Sequence, residues 1–100
     1  MKKLGGALKE LKKRKVAQHR ADINIGKRGL DKAVVEEIKR RLDIEKAIKI
    51  RLLKSARAKV SEKDIENLAK EIGAIIADSR GYTFILIKTK KSNYRVKKVN

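Results

Sequence analysis

Between Ala21 and Leu52 the apolar residues change period twice. Ile23 and Ile25 alternate with Asp22 and Asn24, as in a strand that ends at Gly26. Val34, Val35, Ile38 and Leu42 then share one face of a helix, with Glu36, Lys39, Arg40 and Asp43 on the other. Ile48, Ile50 and Leu52 return to alternation, now against Lys49 and Arg51. A strand, a helix and a second strand of these lengths predict a right-handed parallel crossover. In a chain of 100 residues there is room for one domain, built around that unit.

The flanking segments add to it. Leu4, Leu8 and Leu11, with Ala7 beside them, form one apolar stripe on a lysine-faced helix expected over about Gly6 to Ala17. Asp31 is placed to cap the second helix. Ser61 and Asp64 have the spacing of a capping box ahead of Ile65, Leu68, Ala69 and Ile72, and Gly73 suits the position just past that helix. "AIIADSRGYTFILIKTK" predicts two strands turning at Arg80-Gly81, and its unbroken run Phe84 to Ile87 predicts a strand buried on both faces. With so short a link, those two strands should form an antiparallel hairpin. The expected fold is α/β, a compact single domain in the order α-β-α-β-α-β-β, with helices packed on a mixed four-stranded sheet. Residues 1–89 make the domain, including the basic first helix, and residues 90–100 a basic tail.

Charge decides what such a domain meets. Lys and Arg number 29 against 12 Asp and Glu, a formal charge of +17, which points to a polyanionic partner. Its distribution is uneven. Residues 1–20 and 88–100 carry +7 and +6, leaving only +4 for residues 21–87. A nearly balanced globule with two basic arms is the expectation.

Several classes of function are excluded by the same inventory. Without cysteine there is no disulfide framework, thiol nucleophile or zinc-thiolate site, and a cytoplasmic setting is expected. One histidine, His19, has no second histidine or cysteine with which to hold a metal or build a triad. No catalytic residue, cofactor, metal or small-molecule substrate is expected, nor a membrane span, since no apolar run approaches about 20 residues. The carboxylates read as solvated partners on helix faces, with Glu36 and Arg40, and Glu66 and Lys70, four residues apart. Tyr82, Phe84 and Tyr94 are too few for a platform that stacks many bases, and Phe84 belongs to an apolar strand. Lys49 and Arg51 fit either an RNA-facing sheet surface or the solvated half of an amphipathic strand.

The chemistry concentrates at Gly26-Lys27-Arg28-Gly29, between the first strand and the second helix. Two glycines let backbone approach a ligand, and a helix N-terminus adds donors and dipole to the two cations. A four-residue pattern of this kind also occurs as a simple charged turn. Its surroundings are more specific. "INIGKRGLDKAVVEEIKRRLDIEKAIKIRLLK" resembles the central stretch of the CRM domain family, named for chloroplast RNA splicing and ribosome maturation and including YhbY-like proteins. Ile25 to Leu30 match that family's "IGK-x-GL" turn, and Lys46 to Ile50 match its second strand. Leu68, Ala69, Gly73, Ala74, Gly81 and Leu86 match its closing segment, so that the resemblance spans roughly residues 15 to 88. Arg20-Ala21 stands where the family has Lys-Pro, and Leu86-Ile87-Lys88 where it has Leu-Tyr-Arg.

The resemblance implies a small RNA-binding domain similar in fold to the C-terminal domain of translation initiation factor three, with an archaeal stand-alone copy as the nearest kind. It implies a loop of Gly26, Lys27, Arg28 and Gly29 that contacts RNA backbone as the KH loop does. Lys32 on the following helix, Lys12, Lys13, Arg14, Lys15 and Arg20 on the first arm, and Lys90, Lys91, Arg95, Lys97 and Lys98 on the last complete the expected RNA-binding set. The expected partner is ribosomal RNA within a ribosomal particle, with ribosomal proteins as neighbours. The rival is a DNA-binding chromatin protein of the Alba type, which shares a related α/β fold and a lysine-bearing loop.

Overall fold

The structure is a computed structural model that describes residues 6–89. The expected tail, residues 90–100, and Leu4 of the first stripe lie outside the described residues. The elements are α1 (Gly6–Ala17), β1 (Ile23–Ile25), α2 (Lys32–Glu45), β2 (Ala47–Leu52), a 3-10 turn (Lys54–Ala56), α3 (Glu62–Glu71), β3 (Ala74–Arg80) and β4 (Thr83–Lys88). Order and element types are those expected from periodicity.

The four strands form one sheet in the order β1-β2-β4-β3. β1 and β2 are parallel, as the crossover through α2 requires. β3 and β4 are an antiparallel hairpin, and β4 also pairs antiparallel with β2. β3 therefore runs in the sense of β2 without touching it, because β4 folds back between them. The central place follows from composition: Phe84, Ile85, Leu86 and Ile87 are all buried, and only a strand with neighbours on both edges and helices on both faces buries four in succession.

Alternation along β2 and β4 sorts these side chains into two layers. Ile48, Ile50, Leu52, Phe84 and Leu86 pack with Ile38 and Leu42 of α2 and Ile65, Leu68 and Ala69 of α3. On the opposite face Ala47, Ile85 and Ile87 receive Leu8, Leu11 and Val16 of α1. The sheet is thus sandwiched, and each fully buried isoleucine or leucine contributes about 1.5–3 kcal/mol of burial free energy. At the edge strand β3 the register with β4 shifts between Ile76 and Asp78, a bulge that alternation alone does not reveal.

Helix ends follow the capping residues. Asp31 accepts from the Val34 N–H at 2.9 Å, and Ser61 and Asp64 form the reciprocal capping box. Gly73 follows α3 with φ +76°, the left-handed conformation that closes a helix. α2 closes instead on Lys46, at φ 69° the only described non-glycine residue with positive φ.

Candidate nucleic-acid interface

Register places three chain segments at one end of the sheet. Ile25 lies opposite Leu52, Arg51 opposite Thr83, and Thr83 opposite Arg80. The residues just past β1 and β2 and the turn between β3 and β4 therefore share a rim. The Leu53 N–H donates to the Ile25 carbonyl at 2.9 Å and the Leu52 N–H to the Tyr82 carbonyl at 2.8 Å, which ties the three together. Ligand sites in sheets with parallel strands gather at such carboxyl ends.

The Gly26–Gly29 segment is a tight turn, closed by the Gly29 N–H donating to the Gly26 carbonyl at 2.9 Å. Lys27 and Arg28 occupy its two corners, and both are exposed. The two glycines differ. Gly29 has φ +66°, a conformation that strains any residue with a Cβ. Gly26 has an ordinary φ, and a Cβ there would make normal contact, 3.7 Å from Ser55 Oγ and 4.0 Å from Leu53 Cδ1. Lys59 Nζ braces the turn from behind, 2.5 Å from the Lys27 carbonyl. Lys32, the first residue of α2, is exposed beside it. One helix donor that a phosphate could have used, the Val34 N–H, is bonded to Asp31. Attraction for an anion at this turn therefore rests chiefly on the cations.

More cations arrive from a segment that periodicity leaves blank. Residues 53–60 run from β2 to α3 behind the turn and bring Lys54, Arg57 and Lys59 to the same rim. The apolar pattern and the family resemblance point to none of these three. In a parallel pair the chain leaves both strands at the same end of the sheet, so the pairing of β1 with β2 was the signal that could have found them. Arg57 also lies over an aromatic ring: its guanidinium carbon is 4.0 Å from the centre of Tyr82, a residue 48% exposed.

The cations expected on the first arm are elsewhere, on the face that α1 covers. Lys13, Arg14 and Arg20 are exposed and Lys12 is half-buried. Lys15 is turned inward. Its ammonium lies 2.7 Å from Asp22 Oδ2 and 3.5 Å from Glu45, while Arg41 reaches the other oxygen of Asp22 at 3.7 Å and Glu45 at 2.9 Å. Asp22 also accepts from the Lys49 N–H at 2.8 Å and the Gln18 amide at 3.2 Å. Burial pushes its carboxyl up, but the Lys15 hydrogen bond, the Lys49 backbone donor, the Lys15 charge and the Gln18 amide outweigh that, and the net direction is down. Lys15 is thus a bolt between α1, β1 and α2. Lys49 is likewise engaged, its ammonium donating to the Gln18 carbonyl, whereas Arg51 stays exposed.

On the surface of α2 carboxylates pair at i, i+3, Glu37 with Arg40 at 2.6 Å and Glu36 with Lys39 at 3.8 Å, while Asp31 lies 4.0 Å from Arg28, Asp78 3.1 Å from Arg80, and Asp43 pairs with Lys88. His19 is exposed. Among the described residues no group of three potential metal ligands converges, and no helix is long and apolar enough to cross a membrane. Lys90, Lys91, Arg95, Lys97 and Lys98 lie outside the described residues.

Two comparisons with known proteins bear on this arrangement. The fold is similar to the solution structure of SAV1595, a hypothetical Staphylococcus aureus protein to which RNA binding is ascribed, with a TM-score of 0.56 and 18% sequence identity over 95% of this chain and 98% of that one. No curated protein matches the sequence. The family model of the CRS1 / YhbY (CRM) domain matches residues 5–88, which takes in the whole sheet, all three helices and the Gly26–Gly29 turn. The chain belongs to the CRM domain family.

Proposed function

We propose that this protein is a non-catalytic RNA-binding protein that works on ribosomal RNA in the cytoplasm, as an assembly factor or a resident of the large ribosomal subunit. The observation that carries this reading is the rim itself: a glycine-bounded turn with Lys27 and Arg28 at its corners, reinforced by Lys32, Lys54, Arg57 and Lys59, on a CRM fold. Membership of a family named for RNA splicing and ribosome maturation, and the RNA binding ascribed to SAV1595, support RNA over DNA. The turn addresses phosphate, which fixes position without reading sequence. The exposed cations of α1, together with the charge that residues 90–100 carry, supply further phosphate contacts.

The test is crosslinking in cell extract with sequencing of the attached nucleic acid, joined to a charge-matched pair of variants. Ribosomal RNA should dominate the crosslinks. Lys27→Ala with Arg28→Ala should weaken RNA binding by about tenfold or more, whereas Lys39→Ala with Arg40→Ala, on the surface of α2, should have a much smaller effect. Equal losses from the two pairs would dissolve the idea of a localised grip, and crosslinks to DNA would favour a chromatin role.

A further inference from the structure

Tyr82 is the one described aromatic ring that is not core. It sits in the turn between β3 and β4, 48% exposed, while Phe84 two residues on is 2% exposed. Nothing in the hydrophobic clusters requires it: both are complete without the ring. What holds it is cationic. Arg57 lies 4.0 Å from the ring centre, and its Nε donates to the Leu52 carbonyl at 3.3 Å, so that the guanidinium is fixed between the backbone of β2 and the ring. The Tyr82 carbonyl is fixed in turn by the Leu52 N–H. A half-exposed ring is thereby held in one orientation, which lowers the entropic cost of stacking a flat ligand on it.

The position relative to the turn gives the ring its use. β1, β2 and β4 are consecutive neighbours in the sheet, so the strand end at Ile25 and the strand start at Thr83 are two spacings apart, about 10 Å. A GXXG loop of the KH type clamps about four backbone nucleotides, and a ring at that separation falls within such a footprint. Between them runs the 53–60 segment with Lys54 and Arg57, which would keep the intervening phosphates in place.

Resting on the RNA-binding reading above, we infer that Tyr82, oriented by Arg57, is a base-stacking site: one unpaired base of the RNA gripped at Gly26–Gly29 leaves its helix and stacks on the tyrosine ring. Recognition is of a π face and not of a base edge, so it tolerates any base but requires that base to be unpaired. The site would direct this protein to a bulge, loop or junction beside a backbone stretch, and not to uninterrupted duplex.

The chain has no tryptophan and two tyrosines, which gives a direct readout. In a Tyr94→Phe background Tyr82 is the sole tyrosine, and its emission is followed on addition of oligoadenylate, of duplex RNA and of inorganic polyphosphate. Oligoadenylate should quench it along the binding curve; duplex and polyphosphate, even when bound, should quench it little. Tyr82→Leu should lower affinity for oligoadenylate by about 5- to 100-fold with an unchanged circular dichroism spectrum, and Tyr82→Phe should keep most of the binding. If Tyr82→Leu binds as the parent does while Lys27→Ala with Arg28→Ala loses affinity, the stacking site is overturned and the RNA-binding reading stands. Absence of binding by the parent to both oligoadenylate and extracted ribosomal RNA would overturn both.

Discussion

Gly26 and Gly29 look equivalent in sequence and are not equivalent in structure. At Gly29 the left-handed φ of +66° is a demand of the fold, so Gly29→Ala should destabilise the protein by about 1–2 kcal/mol, measured by urea unfolding. At Gly26 neither φ nor space forbids a methyl group. Gly26→Ala should therefore leave the unfolding midpoint nearly unchanged. If RNA backbone comes close to this residue, the same variant should nonetheless lose RNA affinity, measured by filter binding. A Gly26→Ala protein that binds RNA as tightly as its parent would mean that the ligand stands off the turn and is held by the long side chains alone. Lys46 makes the complementary point. It adopts φ 69° at the end of α2 where a glycine would be the comfortable choice, with its N–H donating to the Leu42 carbonyl at 2.9 Å. Nothing in the apolar pattern marks it.

At the scale of elements, the docking of α1 is the least obvious feature, because the helix has a narrow apolar face and, among the described helices, packs alone on its side of the sheet. Asp22 compensates, joining Lys15 of α1 to Arg41 of α2 and to the backbone of β2. Its carboxyl titrates below the usual range in the folded protein. The stability it contributes is therefore fully present above the ordinary aspartate value of about 3.9 and is lost as pH falls through the lower folded value. Asp22→Asn should cost about 2 kcal/mol at pH 7, and the gap between parent and variant should close as urea unfolding is repeated at successively lower pH below about 4. A gap of the same size in strong acid would show that packing, and not the charge, fastens α1.

For the whole molecule, the charge at the ends should add to the grip proposed for the rim. Residues 90–100 carry five cations, Lys90, Lys91, Arg95, Lys97 and Lys98. Truncation after Thr89 should reduce the slope of log affinity against log salt by about 0.7 for each phosphate of single-stranded RNA that the tail neutralises, hence by up to about 3.5. Base preference should be unchanged, because lysines on phosphates read no sequence. An unchanged slope in a salt titration would remove the tail from the interface.

Amphipathic period was enough to determine element order, the buried faces of α2 and α3 and the central character of β4, and capping chemistry to place the helix starts at Asp31 and Ser61. Each depends on residues within a few positions of one another, and the resemblance to the CRM family was carried by local stretches of the same kind, Ile25 to Leu30, Lys46 to Ile50 and the closing segment from Leu68 to Leu86. Tertiary structure alone decided what lies against those faces. Whether Lys15 faces solvent or Asp22 depends on how α1 crosses the sheet, and the place of Arg57 over Tyr82 depends on two turns brought together by the pairing of β2 with β4. A cation's sequence neighbours report that it is hydrophilic. Only the packing of residues far apart in the chain determines whether its charge is spent inside the protein or offered to a partner.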